Sequence, residues 1–191
     1  MSGPVSPHPH DPAIERVERI ERRWAIVSVT IILILIVVAA FAGIREATMP
    51  QLHVEAANPS TLHLSGEFIE SNLGSAVEPD GSVTVRAVGQ QYSFTPQCIL
   101  VPTGTPITFR GTSADVVHGF LIHDTNVNIM LIPGYISTIS TRFEQPRESA
   151  TPCHEFCGSG HEGMWGKVKV IDRAEFQRLA ANRRRIDCVG Q

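Results

Sequence analysis

Little in the composition is extreme, and what is scarce narrows the field. The net charge is only -3 over 191 residues, which argues against a nucleic-acid partner and against an unfolded polyelectrolyte. Aromatic residues make up 6% of the chain. Cysteine is confined to Cys98, Cys153, Cys157 and Cys188, and that spacing is not the framework of a small disulfide-stapled domain. Cys98 and Cys188 are read as a buried hydrophobe and a free terminal thiol. The length suffices for one modest domain with extensions.

One stretch, from Trp24 to Ile44, has no charge at all. About 20 apolar residues make a helix of roughly 30 Å, the thickness of a hydrocarbon core. A cleaved signal peptide is the alternative, and Ala40-Phe41-Ala42 resembles a cleavage site. The apolar run is longer than the usual signal core of about 7–15 residues, and the segment before it is long and partly acidic. Residues 24–44 are therefore expected to be an uncleaved transmembrane helix. Asp11-Pro12 reads as a helix start, and residues 1–10 as a disordered terminus in which His8 and His10 are at most weak metal ligands. Arg16, Arg19, Arg22 and Arg23 precede the span, and only Arg45 follows it. The positive-inside rule then puts residues 1–23 in the cytoplasm and everything after Ile44 outside.

Residues 45–81 carry weak signals, such as Met49-Pro50, Asn58-Pro59 and Glu78-Pro79-Asp80-Gly81, and read as a linker. Within them, Leu62 to Ile69 suits a short strand or helix. From Ser82 the pattern turns to β. Short apolar or alternating runs (Val83 to Ala87, Tyr92 and Phe94, 99–102, 107–109, 116–122, 127–132, 136–143, 167–171) are separated by Gly/Pro turns. Such spacing over about 90 residues indicates a β-sandwich or Greek-key barrel over 82–171. Residues 172–191 form a tail in which 172–185 read as a short helix. Its arginines would face either solvent or an acidic partner or lipid head groups.

The chemistry is concentrated in Cys153-His-Glu-Phe-Cys157-Gly-Ser-Gly-His161-Glu-Gly-Met164. Two thiols, an imidazole and a thioether recur as Cys153-x3-Cys157-x3-His161-x2-Met164. Soft ligands of this kind select copper over magnesium or calcium. A mononuclear blue-copper site needs only one cysteine. The second one admits a two-copper centre bridged by both thiolates, which requires another terminal imidazole. His118 is the candidate, with His53, His63 and His123 as competitors. Asp115, three residues before His118, is either an acceptor that orients its ring or a surface turn residue.

With these residues in place, the chain resembles subunit II of the haem-copper oxidases, which carry the dinuclear CuA centre on a cupredoxin domain. The resemblance spans roughly 82–171. It is carried by Asp115-Val-Val-His118-Gly-Phe, Asn126-Val-Asn-Ile, Pro133-Gly134 and Cys153-x-Glu155-x-Cys157-Gly158-x-x-His161-x-x-Met164. It implies a cupredoxin-like Greek-key β-barrel anchored by one N-terminal helix. The single helix resembles the B-type branch, whereas the A-type subunit has two. Cys153 and Cys157 are implied to bridge both coppers. His118 and Met164 would complete one, and His161 and the backbone carbonyl of Glu155 the other. In A-type relatives a glutamate at this position also reaches a magnesium ion at the interface with subunit I. B-type relatives commonly lack it, so Glu155 leaves a magnesium site open. The A-type tryptophan cluster for electron uptake is missing, and Tyr92 and Phe94 occupy the comparable stretch.

The implied function is electron transfer in a bacterial or archaeal plasma membrane. Electrons would come from a cytochrome c or small copper protein and go to haem in subunit I, where oxygen is reduced to water. This chain has no haem-iron motif and no polytopic core, so it would not reduce oxygen alone. From Arg45 to Ile171 there are twelve acidic and seven basic residues, a balance that favours a basic donor through electrostatic steering. Three other readings use the same residues: the CuA subunit of a nitric oxide reductase, a membrane-tethered copper carrier, and a structural zinc module on Cys2His2 ligation.

Overall fold

In a computed structural model of the chain, residues 12–46, 55–181 and 183–188 are described. His8, His10, Asp11, Met49-Pro50 and His53 lie outside the described residues. The chain divides into two compact units, Met1–Met49 and Pro50–Gln191.

The first unit is one helix, α1 (Pro12–Glu46), about 52 Å long at 1.5 Å per residue. It is long and apolar enough over Ile14–Ile44 to cross a membrane. Ile31, Leu33, Leu35 and Val38 are all more than half exposed, so apolar side chains cover the helix on every side. Such a helix is built for a lipid surround and not for one face of a protein core. The Thr30 hydroxyl donates back to the Ile26 carbonyl at 2.8 Å, which satisfies a polar group within the apolar stretch.

The second unit is a cupredoxin-like β-barrel. Its larger sheet runs β1 (Glu55–Ala56), β9 (Tyr135–Thr141), β6 (Ile107–Ser113), β3 (Val83–Gln90), β2 (Gly74–Val77), with β4 (Ser93–Thr95) also on β3. The facing sheet is β10 (Arg147–Pro152), β11 (Trp165–Ile171), β5 (Cys98–Pro102), and β7 (His118–Leu121) pairs with β8 (Asn128–Leu131). The β3–β6 and β5–β11 pairs are parallel and the other pairs antiparallel. Val83, Val85 and Ala87 of β3 point into the main core with Ile107, Phe109, Phe120, Val168 and Val170, as the period-two pattern requires.

Three departures from the sequence expectation have physical causes. Strand β10 is not signalled by its apolar content, because the residues it buries are Ser149 and Thr151. Leu62 to Ile69 is neither strand nor regular helix. A 3-10 turn at Pro59–Thr61 leads into bends, and Leu62 and Phe68 are buried with Leu73 and Val88 in a second cluster. Residues 55–73 thus do more than connect, since they cover the outer face of the larger sheet.

The third departure is a correction. Cys98 and Cys188, expected to be unpaired, form a disulfide 90 residues apart in sequence. The spacing gave no sign of it, because the folding of the tail creates the proximity. Helix α2 (Arg173–Ala180) buries Phe176. The chain then returns along β2, where Ile186 exchanges backbone hydrogen bonds with Ser75 at 2.9 Å each way. The Cys188 N–H donates to the Cys98 carbonyl on β5 at 3.2 Å. One short segment therefore covers the edges of β2 and β5, the end strands of the two sheets, which would otherwise offer unpaired backbone groups.

The 55–73 excursion is clasped to the sheet by charge. Arg86 and Arg110 lie opposite one another on β3 and β6. Glu67 accepts from Arg110 Nε at 2.6 Å and Nη2 at 2.7 Å, and from Arg86 Nε at 2.9 Å. Arg110 also donates to Glu55. Burial alone would raise the Glu67 carboxyl, but the hydrogen bonds and charges of Arg110 and Arg86 outweigh it and hold it below the usual 4.5. A lowered folded-state value means stability that is present above pH about 4.5 and lost as the pH falls through the folded-state value. Glu67→Gln should therefore destabilise the barrel by about 1–2 kcal/mol at pH 7. It should also flatten the fall of the thermal midpoint below pH about 4, which melts across a pH series would read.

Candidate metal centre

The twelve residues from Cys153 to Met164 connect β10 to β11. Pairing of the two strands runs up to Pro152 opposite Trp165, and the Cys153 N–H donates to the Met164 carbonyl at 3.0 Å. The loop is thus clamped where its first and last donors stand. Inside it, Gly158 has φ +133°, and His161 begins a single 3-10 turn. Gly158 and Gly160 must lack side chains for packing reasons as well. A Cβ on Gly158 would come within 2.5 Å of the Tyr92 hydroxyl, and one on Gly160 within 2.7 Å of the Tyr92 ring.

The closure gathers the donors. The sulfurs of Cys153 and Cys157 are 3.9 Å apart, both thiols are free and buried, and a bonded pair would need about 2.05 Å. Around them lie His118 Nδ1 at 3.9 Å and the Glu155 carbonyl at 3.2 Å from Cys153 Sγ. His161 Nδ1 at 3.6 Å and Met164 Sδ at 3.7 Å approach Cys157 Sγ. The donor atoms of His118, Cys153 and Cys157 all lie within 4.8 Å of one another. His118 and Met164 are fully buried. The structure brings all six sequence-predicted residues together. It does not bring His63, which is exposed, or His123, which is exposed and paired with Asp124 at 3.1 Å.

The imidazole of His118 is fixed from behind. Its Nε2 meets Asp115 Oδ1 at 2.8 Å. Burial alone would raise the Asp115 carboxyl, but hydrogen bonds from the Gln91 N–H, His118 and the Val116 N–H hold it below its usual value. A carboxylate behind a ligating histidine orients the ring and raises its basicity, so Asp115 is more than a turn residue. Burial and then the adjacent Cys153 push the Cys157 thiol up to about 11. Two buried thiols, ringed by nitrogen and thioether donors, fit a soft metal cation that displaces their protons.

Three neighbours were not legible as site residues. Gln91 donates through its side-chain amide to the Cys157 carbonyl. Phe156 is 76% exposed and stands edge-on to the His161 ring at 5.8 Å. Trp165, directly after Met164, is half exposed and donates from Nε1 to the Glu162 carbonyl at 2.7 Å. Of the two aromatics expected near the uptake face, Tyr92 is at the surface, over the loop. Phe94 is buried in the core, edge-on to Phe120 at 5.3 Å.

An apolar helix followed by a cupredoxin-like barrel, with two thiols, two imidazoles and a thioether at one end, defines a membrane-anchored copper-binding protein of the cupredoxin class. A family profile described as cytochrome c oxidase subunit II, periplasmic domain, matches residues 90–171. A cytochrome c oxidase subunit 2 of Thermus thermophilus is 30% identical over 152 residues, covering 78% of this chain and 90% of that one. A second subunit 2 from the same species is 32% identical over 122 residues, covering 64% and 90%. A chain in the cryo-EM structure of a heme-copper terminal oxidase dimer superposes with a TM-score of 0.56 at 27% identity, covering 81% of this chain and 99% of that one. The chain belongs to the cytochrome c oxidase subunit II family, and its barrel is the CuA-type domain through which a haem-copper oxidase takes up electrons.

Removing the support behind His118 tests the geometry directly. Asp115→Ala should weaken copper(I) binding about 10- to 100-fold in a chelator-competition titration, while the far-UV circular dichroism of the barrel stays unchanged.

Proposed function

We propose that this subunit holds a dinuclear copper centre and relays single electrons from a soluble donor to haem in subunit I. The observation that carries the reading is the pair of free, buried sulfurs 3.9 Å apart with a separate imidazole beside each. Cys153 and Cys157 would bridge both ions. His118 and Met164 would complete one, and His161 with the Glu155 carbonyl the other. Two thiolate-bridged coppers supply one-electron chemistry in which the charge change is shared between both ions.

The protein's part is to hold still and to exclude. The β10–β11 pairing and Asp115 fix donor positions before any metal arrives, so little needs to move when an electron does. Burial of His118, Cys153, Cys157 and Met164 keeps water and substrates from the donors. Every donor is committed to the centre, which suits a relay better than a carrier, whose ligands must be surrendered. A structural zinc site would leave Met164 and the Glu155 carbonyl without a role.

Two independent features support an outward-facing barrel with a cytoplasmic N-terminus. Arg16, Arg19, Arg22 and Arg23 precede the span, as the positive-inside rule expects. The Cys98–Cys188 disulfide belongs in an oxidising compartment. The acidic balance of the barrel favours a basic donor such as a cytochrome c. The single helix favours the B-type branch. Glu155 is exposed, which leaves its carboxylate available for magnesium at the subunit I interface.

The test is copper content and low-temperature EPR of the purified subunit. Two coppers per chain and a seven-line mixed-valence signal are expected. Cys157→Ser should reduce this to one copper at most with an ordinary four-line signal. A parent protein with one copper and four lines, or with zinc and no colour, would contradict the relay.

A further inference from the structure

Five of the six donors belong to one loop, and the sixth, His118, comes from β7. The loop can set its own five positions, but it cannot by itself set the distance to His118. Any polar link between the two parts therefore controls how the donor set closes.

Such a link passes through Gln91, the residue directly after β3. Its side-chain amide donates to the Cys157 carbonyl in the loop. Its backbone N–H donates to Asp115 Oδ2 at 2.7 Å. Asp115 Oδ1 in turn holds His118 Nε2 at 2.8 Å. The chain of contacts from Cys157 to His118 is continuous, and Gln91 is the only residue in it that touches both sides. Gly158 makes room for it, since a Cβ there would lie 2.8 Å from Gln91 Nε2. The chemistry at this position is restrictive. A carbonyl can only accept, so the side chain must donate, and a glutamate of the same shape would present an acceptor instead.

We propose that Gln91 is a positioning residue for the metal centre, setting His118 against the Cys153–Met164 loop by joining the Cys157 carbonyl to the carboxylate behind His118. The inference rests on the copper reading above, because it concerns how those donors are held. Gln91 touches no donor atom. Its loss leaves all six ligands present but releases the loop from β7. Because Cys157 donates through its side chain and is steadied through its own carbonyl, the freed motion falls on a bridging sulfur.

The experiment compares copper release to a chelator, the EPR hyperfine pattern and the metal-free thermal midpoint in the full chain. The variants are Gln91→Leu, Gln91→Glu and Thr108→Val. Gln91→Leu and Gln91→Glu should both bind copper with the parental stoichiometry. They should release it about 10- to 100-fold faster, with a changed hyperfine pattern and a metal-free midpoint close to parental. Thr108→Val, on β6 away from the loop, loses the hydroxyl contact to Ser140 at 3.2 Å and should behave as the parent. Should Gln91→Leu fail to fold, Gln91→Glu carries the same comparison. Parental release and hyperfine pattern in the Gln91 variants would overturn the role. A parent that holds one copper or zinc would instead overturn the dinuclear reading. The role of Gln91 would then be judged from release of that metal, parental release again overturning it.

Discussion

Two thiols kept close, unbonded and out of water are the arrangement on which the rest of this structure depends. At 3.9 Å the sulfurs of Cys153 and Cys157 are near enough to share metal ions and too far apart to be bonded to each other. Left to itself, a loop of twelve residues with three glycines would sample many sulfur–sulfur distances. The barrel removes that freedom by pairing β10 and β11 to the last residue before the loop and by placing Tyr92 against Gly158 and Gly160. Burial then raises the energy of the bare Cys157 thiolate, as the upward push on that group shows. A bound cation would relieve that cost, so the site favours a bound metal over a bare Cys157 anion.

The remainder of the barrel serves stiffness. The cupredoxin sandwich leaves edges, and here the edges of β2 and β5 are covered by the segment ending at Cys188 and joined covalently to Cys98. The outer face of the larger sheet is covered by residues 55–73 and held by Glu67 between Arg86 and Arg110. Both devices act away from the donors. They limit breathing of the strands that carry the donors, which is what a centre with little reorganisation needs.

The metal loop was the most legible part of the sequence, because its donors are close in the chain and chemically unusual. The β-barrel was legible wherever burial follows apolar alternation, as in β3 and β6. It failed at β10, where Ser149 and Thr151 take the inward positions. His118 could not be separated from His123 by residue type; the family resemblance singled it out, and the meeting of β7 with the loop places it beside Cys153. The Cys98–Cys188 pairing and the Gln91 link depend on contacts between segments 90 and 66 residues apart, for which a single sequence carries no local signal. Nothing in the spacing of Arg86, Arg110 and Glu67 shows that they meet.

The central claim is that the donor set is formed by the fold before metal binds. Amide hydrogen exchange of the reduced, metal-free chain across residues 153–164 tests it most directly. Protection of the Cys153, His161 and Met164 amides close to that of the copper-loaded chain is predicted, because their hydrogen bonds to the Met164, Gly158 and His161 carbonyls need no metal. Free exchange along the whole loop without copper, with protection appearing only on loading, would show that the metal builds the site, and would contradict the account.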